Sequence, residues 1–340
     1  MKSHRISHHS QSVVMTSRRS FLKVVVAGVP LLVASGCLRP ATPISNNDPN
    51  IINYDEDGSN VLLEGKTMLV GVSFPAAVSD LNGELPVRIE AETSSGGELR
   101  EPQPLFFYSA GDWNFRAILT APLDVVEGFY LANLSALREA GNVNWDIKYF
   151  IRRGNYRQAI LTVDKNFSEP SAAIVARMKY DFETMIGIYK RRTPRRWTAP
   201  FVPPVSGPDK DNFGDKRTYN QNKHARHAGL DYTAPMATPV RAINDGVVAF
   251  SGEQWTPGEI ICIEHGGGVF SKYMHLSKRL VHESATVKRG EVIGLSGNSG
   301  GQKPLPHLHL DVVVNGVRVD PKDFMRTAAA LVALELQERS

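Results

Sequence analysis

Short apolar stretches separated by turn residues occupy residues 61–166. The segment Val87–Ala91 alternates apolar and polar residues, the period-2 pattern of a strand with one buried face. Such stretches predict strands at Met68–Phe74, Val87–Thr93, Leu105–Ser109, Trp113–Thr120, Trp145–Ile151 and Tyr156–Val163. Six or seven short strands in about 100 residues favour an antiparallel immunoglobulin-like β-sandwich.

The apolar positions then change to helical spacing. They recur every three or four residues along Ile174, Met178, Phe182, Met185, Ile186 and Tyr189. This repeat predicts an amphipathic linking helix within residues 167–192. Ser168 or Glu169 is the expected N-cap, with Pro170 in the first turn. The methionine and aromatic stripe is interpreted as packing and not as a cofactor site.

A second helical repeat covers Pro321–Ser340. Its apolar positions are Phe324, Ala328, Leu331 and Leu334, again at three- to four-residue steps. The pattern predicts a C-terminal helix that extends over residues 325–340, beyond the domain that precedes it. Packing onto that domain and dimerisation both remain open as its role.

The N-terminal segment has the layout of an export signal. The heptad Ser17–Lys23 contains Arg18 and Arg19 and resembles the twin-arginine translocation consensus, and the apolar run Val24–Gly36 follows it. This run is too short for a confident membrane span. We therefore expect residues 1–36 to be a signal peptide.

Small residues immediately before Cys37 resemble a lipobox, which implies acylation of this cysteine. Ordinary signal cleavage nearby is the alternative. Residues 37–60 are rich in Pro, Asn, Asp and Ser and predict a flexible tether. The expectation is an exported protein on the periplasmic side of the envelope, anchored to a membrane through the lipid on Cys37, in the outer membrane if the host is Gram-negative.

The basic excess of the chain lies in this N-terminal segment. The 340-residue chain has 39 basic and 35 acidic side chains, but residues 1–36 hold five basic side chains and no acidic one. Without that segment, 34 basic and 35 acidic residues remain. The basic excess belongs to the leader, so the overall charge gives no support for a nucleic-acid partner.

The histidines are the candidate metal-binding and catalytic residues. All seven histidines beyond Cys37 fall between positions 224 and 309. His227 and Asp231 are four residues apart, and His307 and His309 are two apart at the start of a strong β-like run. Residues i and i+2 of a strand point to one side, so both imidazoles are expected to enter one site. The same parity predicts that Tyr273 and His275 share one face.

Zinc suits these groups, because it binds imidazole nitrogen and carboxylate oxygen and because a catalytic site uses three protein ligands and a water. Four histidines and one aspartate exceed three ligands, which leaves one or two histidines for proton transfer. Spacing alone leaves open which of His307 and His309 is the ligand. No HExxH motif is present, so no helix-borne glutamate base is expected.

The motifs taken in order resemble the lysostaphin/LytM-type zinc peptidases, which cut peptide cross-links in peptidoglycan. The resemblance runs from about Trp197 to Phe324 and rests on His227-x-x-x-Asp231, Gly246-Val247-Val248, Tyr273-Met274-His275-Leu276-Ser277, Val287–Gly294, Gly297–Gly300, Pro306–His309 and Val319-Asp320-Pro321. It implies a mainly β fold with a barrel-sandwich-hybrid-like domain over residues 193–324.

The resemblance also implies roles for the five reactive residues. His227, Asp231 and His309 would bind Zn²⁺, and His275 and His307 would assist catalysis. The implied activity is that of a zinc metalloendopeptidase acting on peptidoglycan peptide stems. The alternative is a non-catalytic relative that binds or activates another wall hydrolase, with wall hydrolases or scaffold proteins as partners.

Three further expectations concern residues outside this set. His265 is interpreted as structural, and His224 and His282 as surface residues. Cys262 lies in an apolar run and is expected to be an inert buried thiol. The domain at 61–166 contains no histidine and is interpreted as a spacer or binding module, or as a pro-region that docks over the active-site groove.

Overall fold

The structure is a computed structural model that describes residues 24–27, 60–73, 107–109, 114–136, 143–221, 223–301 and 305–338. Several predictions lie outside these residues. They are the arginine pair, Cys37, the tether up to residue 59 and the strand Val87–Thr93. Among the helices that are described, none combines the length and apolar character that a membrane crossing requires.

Two small sheets form the N-terminal part of the described chain. Their strands are β1 (Val24–Ala27), β2 (Asn60–Leu63), β3 (Thr67–Ser73), β4 (Phe107–Ser109), β5 (Asn114–Thr120), β6 (Gly128–Ala136) and β7 (Val143–Arg152). The strand orders are β1-β3-β5-β4 and β2-β7-β6, and β2 runs parallel to β7. The strands predicted near residues 68, 113 and 145 are confirmed, whereas β6 was not predicted. The immunoglobulin-like topology stays a prediction.

A mixed segment follows, made of β8 (Gln158–Leu161), α1 (Lys165–Ser168), α2 (Ala172–Tyr189), β9 (Lys216–Tyr219) and β10 (Lys223–Arg226). These strands form a sheet of order β10-β9-β8 in which β8 runs parallel to β9. The predicted boundary at residue 166 therefore separates β8 from its pairing partner.

The predicted cap of the linking helix is wrong. Ser171, not Ser168 or Glu169, is the N-cap of α2, because its hydroxyl accepts a hydrogen bond from the amide of Ile174. Ser171 has the extended backbone that an N-cap adopts. Ser168 instead ends the short helix α1, so Pro170 precedes the cap of α2 and is not in its first turn.

The remaining strands form one large sheet. They are β11 (Leu230–Tyr232), β12 (Pro239–Arg241), β13 (Gly246–Gln254), β14 (Gly258–Gly266), β15 (Val269–Arg279), β16 (Thr286–Val287), β17 (Val292–Ser296), β18 (Leu308–Val314) and β19 (Val317–Val319). The central order is β11-β18-β15-β14-β13-β16. The end of β15 also pairs with β17, so this strand bends between neighbours.

Alternation along these strands separates two apolar layers. Leu308, Leu310 and Val312 of β18 enter the main core, whereas Val313 belongs to a second cluster on the opposite face. Met185, Ile188 and Tyr189 of α2 pack in this second cluster. The linking helix thus covers the sheet face toward which His309 also points.

The C-terminal helix α3 (Pro321–Glu338) packs onto the main core. Phe324, Ala328 and Leu331 are fully buried there, and Phe324 meets the ring of Phe201 edge-on at 4.9 Å. Of the two roles left open by the sequence, packing explains the apolar stripe of this helix.

The N-terminal strands are fastened to the start of α3 and to the main core. Lys66 forms an ion pair with Asp320 at 2.6 Å. The Thr67 amide and hydroxyl donate to the Asp323 carboxylate at 2.7 and 2.8 Å. Leu69 and Ile118 enter the main core beside the large sheet. These contacts make the described N-terminal strands part of one packed body.

Candidate metal centre

Three predicted ligands meet where β11 lies beside β18. Asp231 and His309 are direct partners in the antiparallel pairing of these strands, and His227 comes three residues before β11. Ligand atoms of the three side chains all lie within 4.8 Å of one another. All three residues are buried, so the described structure brings together the groups that the spacing singled out.

Gly229 makes this close approach possible. A Cβ at this position would lie 2.2 Å from His309 Nε2 and 2.4 Å from Asp311 Oδ1. Any other residue would therefore push His309 or Asp311 out of place. The packing of the site therefore requires glycine at position 229.

The hydrogen atoms of both imidazoles point away from the centre. His227 Nδ1 donates to the carbonyl oxygen of Asn212 at 2.7 Å, and His309 Nε2 donates to Asp311 Oδ1 at 2.8 Å. Because these oxygens only accept, the opposite nitrogens, His227 Nε2 and His309 Nδ1, are left with lone pairs in the neutral rings.

These two nitrogens and one carboxylate oxygen point at each other. His227 Nε2 lies 2.9 Å from His309 Nδ1 and 3.1 Å from Asp231 Oδ1, and His309 Nδ1 lies 2.8 Å from the same oxygen. Three acceptors at such distances repel one another unless a proton or a metal ion lies between them. Zinc bonds of about 2.0–2.2 Å would place tetrahedral ligand atoms about 3.3 Å apart, so the donor set fits a metal ion.

Asp231 is fixed by its second oxygen. Asp231 Oδ2 accepts from Asn212 Nδ2 at 2.8 Å and from the Arg217 guanidinium at 3.1 Å. The Asp231 amide in turn donates to Asn212 Oδ1 at 3.1 Å. Asn212 therefore holds two of the ligands, and Asp231 is left with one free oxygen toward the centre.

His275 and His307 flank the same centre. His275 Nδ1 donates to the Ser299 carbonyl at 2.8 Å, and His307 Nδ1 donates to the Leu305 carbonyl at 2.7 Å. Each ring therefore has an unprotonated Nε2. The two rings lie 4.9 Å apart, and His307 Nε2 is 3.6 Å from Asp231 Oδ1. Two proton acceptors thus stand beside the three candidate metal ligands.

Comparison with known proteins identifies this arrangement. Residues 225–321 match the family model described as Peptidase family M23, and the match includes all five reactive residues. This segment is an M23 domain.

The curated relatives align with about a third of this chain. Peptidoglycan DD-endopeptidase ShyA of Vibrio cholerae is 41% identical over 106 residues, which is 31% of this chain and 24% of the relative. DD-carboxypeptidase/endopeptidase Mpg of Neisseria meningitidis is 43% identical over 95 residues, or 28% and 22% of the two chains. The chain thus spans about a quarter of the length of these relatives.

A solved structure shares the wider architecture. A candidate M23 peptidase from Pseudomonas aeruginosa aligns with a TM-score of 0.55 and 23% identity, covering 78% of this chain and 95% of that chain. The likeness confirms the mainly β fold, including the predicted sheet-rich C-terminal domain.

Behind His309, the M23 domain holds a charge cluster around the buried carboxylate of Asp311, which the sequence analysis missed. Asp311, which orients His309, lies 3.5 Å from Lys272 Nζ and 3.3 Å from Arg318 Nε. Partners of this kind fix the tautomer of a metal-binding imidazole, and their loss typically lowers metal affinity about 10–100-fold. Asp311 stands two residues after His309, so strand parity could have found it.

The pKa values of the ligands fit exchange of a proton for a metal ion. Burial alone would lower the pKa of His309, but hydrogen bonds to the Asp231 and Asp311 carboxylates raise it to about 9. Burial would raise the pKa of Asp231, but hydrogen bonds from His227 and His309 keep it well below its usual range. Metal binding would displace the extra proton from His309.

The catalytic candidates have the opposite tendency. Burial, together with the neighbouring His307 and His309, lowers the pKa of His275 to about 3. Burial also lowers the pKa of His307. Both imidazoles are therefore neutral near pH 7, which is the form that accepts a proton.

The predicted sharing of a face by Tyr273 and His275 is wrong. Tyr273 lies in the main core, where its hydroxyl accepts from the Ile243 amide. His275 instead faces the cleft beside Met274. Strand parity fails here because His275 has a φ of 60°, a left-handed conformation that interrupts the alternation.

The five reactive side chains open into a cleft of about 810 Å³. One wall is the large sheet, and the other comes from α2 and the β8–β10 sheet, through residues such as Met178, Phe182 and Tyr219. No residue between 60 and 152, within the parts described, lines this cleft. The wall opposite the large sheet is thus the linking helix together with the β8–β10 sheet, and only the end of the predicted 61–166 domain, at residues 161–163, reaches the cleft.

The remaining histidines behave as the sequence suggested. His265 is fully buried and bonds through its two nitrogens to the Asp245 carbonyl and the Ser271 hydroxyl. His224 and His282 are exposed. Cys262 is buried, and burial raises the pKa of its thiol to about 12, as expected for an inert thiol.

Proposed function

We propose that this protein is a zinc-dependent endopeptidase that hydrolyses peptide cross-links of bacterial peptidoglycan. The observation that carries the proposal is a complete donor set, His227, Asp231 and His309, with two unprotonated Nε2 atoms beside it in an open cleft. The peptidoglycan endopeptidases among the relatives supply the substrate class.

The residues around the metal centre have different roles in the proposed hydrolysis. Zinc, when bound, would polarise the scissile carbonyl and make its water a better nucleophile. His275 or His307 takes a proton from the attacking water through its free Nε2. The imidazolium that forms stabilises the oxyanion and then donates this proton to the leaving amine as the C–N bond breaks. Carbonyl oxygens of Ser299 and Leu305 keep both rings in the tautomer that this requires.

Hydrolysis of purified cross-linked peptidoglycan tests the proposal. We expect the zinc-loaded protein to convert cross-linked peptide dimers into monomers, chelation to stop the reaction and added zinc to restore it. Mass spectrometry of the released peptides identifies the bond that is cut. Intact dimers after incubation with fully zinc-loaded protein would favour the non-catalytic regulator instead.

We further propose that the protein is exported through its twin-arginine signal and anchored by a lipid on Cys37. The motif and the small residues before the cysteine support this. Mass spectrometry of the mature N-terminus is expected to show an acylated residue 37. A mature chain that starts elsewhere, without a lipid, would contradict the anchor.

A further inference from the structure

His275 has a backbone conformation that its neighbours must hold in place. Its φ of 60° is one that a histidine rarely adopts, and such a conformation persists only where the surrounding structure fixes it. The His275 amide donates to the Pro257 carbonyl at 2.9 Å, and its Nδ1 donates to the Ser299 carbonyl at 2.8 Å. Pro257 therefore holds the backbone of this residue, and Ser299 holds its ring.

Both carbonyls belong to one packed unit, formed by the turn at residues 254–258 and the segment at residues 299–301. The Gly301 amide donates to the Trp255 carbonyl at 2.7 Å. The two backbones are in such close contact that a Cβ added at Gly300 would lie 2.4 Å from a carbonyl oxygen of the turn. A shift of the turn would therefore displace both of the carbonyls that hold the histidine.

The linking helix α2 fixes this turn through Asp181, a residue that is only 7% exposed. Asp181 Oδ2 accepts from the Trp255 amide at 2.7 Å, and the Asp181 carbonyl accepts from Gln254 Nε2 at 3.0 Å. The other carboxylate oxygen accepts from Arg177 Nε at 2.8 Å, and Arg177 also donates to the Glu253 carbonyl at 2.9 Å. The helix thus contacts three consecutive residues where β13 enters the turn.

A carboxylate suits this position, because the two groups that bond to its oxygens are both donors. Hydrogen bonds to a carboxylate are shorter and stronger than those between neutral groups. An asparagine has a single acceptor oxygen, so its NH₂ group would face either the Trp255 amide or the Arg177 guanidinium. Asp181 precedes the M23 match at residues 225–321, so this contact comes from outside the matched domain.

We propose that Asp181 is a positioning residue for His275. By fixing the turn, it keeps the Pro257 and Ser299 carbonyls in place, and these hold the ring with its Nε2 lone pair toward the cleft. The inference rests on the proposed function, because it assigns a support to one of the two proton acceptors. Both carboxylate oxygens of Asp181 are occupied by donors of the chain, so its effect on the reaction is indirect.

The tautomer of His275 reports this support without any turnover. In zinc-loaded protein with isotope-labelled histidine, proton–nitrogen correlation spectra distinguish a ring protonated at Nδ1 from one protonated at Nε2. The signal that is missing in His275→Asn assigns the residue. We expect the Nδ1-protonated tautomer in the wild type and a mixture of tautomers or a shifted His275 signal in Asp181→Asn. The signal of the buried His265 should not change.

Hydrolysis of cross-linked peptides is measured on the same preparations. Asp181→Asn should lower kcat about tenfold, which is part of the roughly hundredfold loss that a misplacement of about 1 Å can cause. Zinc content should equal that of the wild type, and KM should stay within about twofold. Glu183→Gln is the matched control on α2, because the Glu183 side chain is 62% exposed, and it should change none of these quantities.

Two further variants keep positioning apart from general stability. Gln254→Met removes a weaker contact of the same turn, so it should change the His275 signal and kcat in the same direction, and it serves if Asp181→Asn does not fold. Ile188→Ala loosens the packing of α2 in the second apolar cluster without removing a hydrogen bond to the turn. It should lower the thermal stability and leave the His275 signal as in the wild type.

The outcomes separate this role from the proposed function. An unchanged His275 signal or an unchanged kcat in the folded Asp181 or Gln254 variant overturns the role of Asp181, and so does an equal change in Ile188→Ala. If the wild type cleaves no cross-linked peptide, the endopeptidase function fails. A changed His275 signal in Asp181→Asn then still supports the positioning of the ring.

Discussion

Asp231→Asn is expected to lower zinc affinity about 100-fold or more and to reduce peptide hydrolysis below detection. Asp231 Oδ2 accepts from two donors, Asn212 and Arg217, while Oδ1 faces His227 and His309. An asparagine amide has only one acceptor atom. Its NH₂ group must therefore meet either the two donors or the metal, and the ligand charge is lost in both orientations.

Metal content after dialysis, followed by a hydrolysis assay, measures this effect. Asp211→Asn is the matched control, because the Asp211 side chain is 82% exposed and its φ of 46° is one that asparagine tolerates. Thermal unfolding shows whether each variant is folded. Wild-type zinc content in folded Asp231→Asn would refute the ligand assignment.

His275→Asn and His307→Asn are expected to keep the metal but to lose activity, each by a factor of about 10²–10⁴. Neither imidazole belongs to the three converging ligands, yet both present a free Nε2 at the cleft. Asparagine is the better replacement at 275 than alanine, since the left-handed backbone of His275 penalises most residues.

Metal content and kcat, measured on the same preparation of each variant, test this prediction. The exposed His224 serves as control, because His224→Asn lies outside the reactive set and should change neither quantity. Loss of zinc in either variant would make that histidine a ligand. Unchanged kcat in both variants would remove general acid–base roles from this pair.

The sequence could locate the reactive residues, because their pattern is local. His307 and His309 are two residues apart next to a β run, and Leu308 between them packs into the core, as period 2 requires. Ambiguity between the two as ligands was lifted by the resemblance, not by spacing. In the structure, His309 is among the three converging side chains, and its role as a ligand stays a prediction.

Features that depend on distant segments escaped prediction. Asn212 and Arg217 both donate hydrogen bonds to Asp231. Asn212 lies in an irregular stretch and Arg217 in the small β8–β10 sheet, and neither stretch has a hydrophobic repeat that would have predicted the contact. The position of α2 beside the cleft follows from the second apolar cluster, to which Met185 of α2 and Met274 of the large sheet both belong. Nothing in an amphipathic pattern says which surface a helix will cover.

Conformational exceptions are a second class of failure. Strand parity predicted that His275 lies on the same side as Tyr273. The left-handed backbone of His275 itself interrupts the alternation and places its side chain on the opposite side. The N-cap of α2 is Ser171 and not the predicted Ser168 or Glu169, because Lys165–Ser168 forms a separate turn of helix. Propensity ranks such choices but does not decide them.

The hydrogen bonds and ion pairs between residues 64–67 and much later residues also affect how the protein folds. Thr67 and Asp323 are 256 positions apart, and Lys66 and Asp320 are 254 apart. Glu64 reaches across 162 positions to Arg226, the residue before His227. Contacts of such sequence separation slow folding, because large loops must close before the contacts form. The contacts of Lys66 and Thr67 can therefore form only after α3, more than 250 positions further along the chain, has been synthesised.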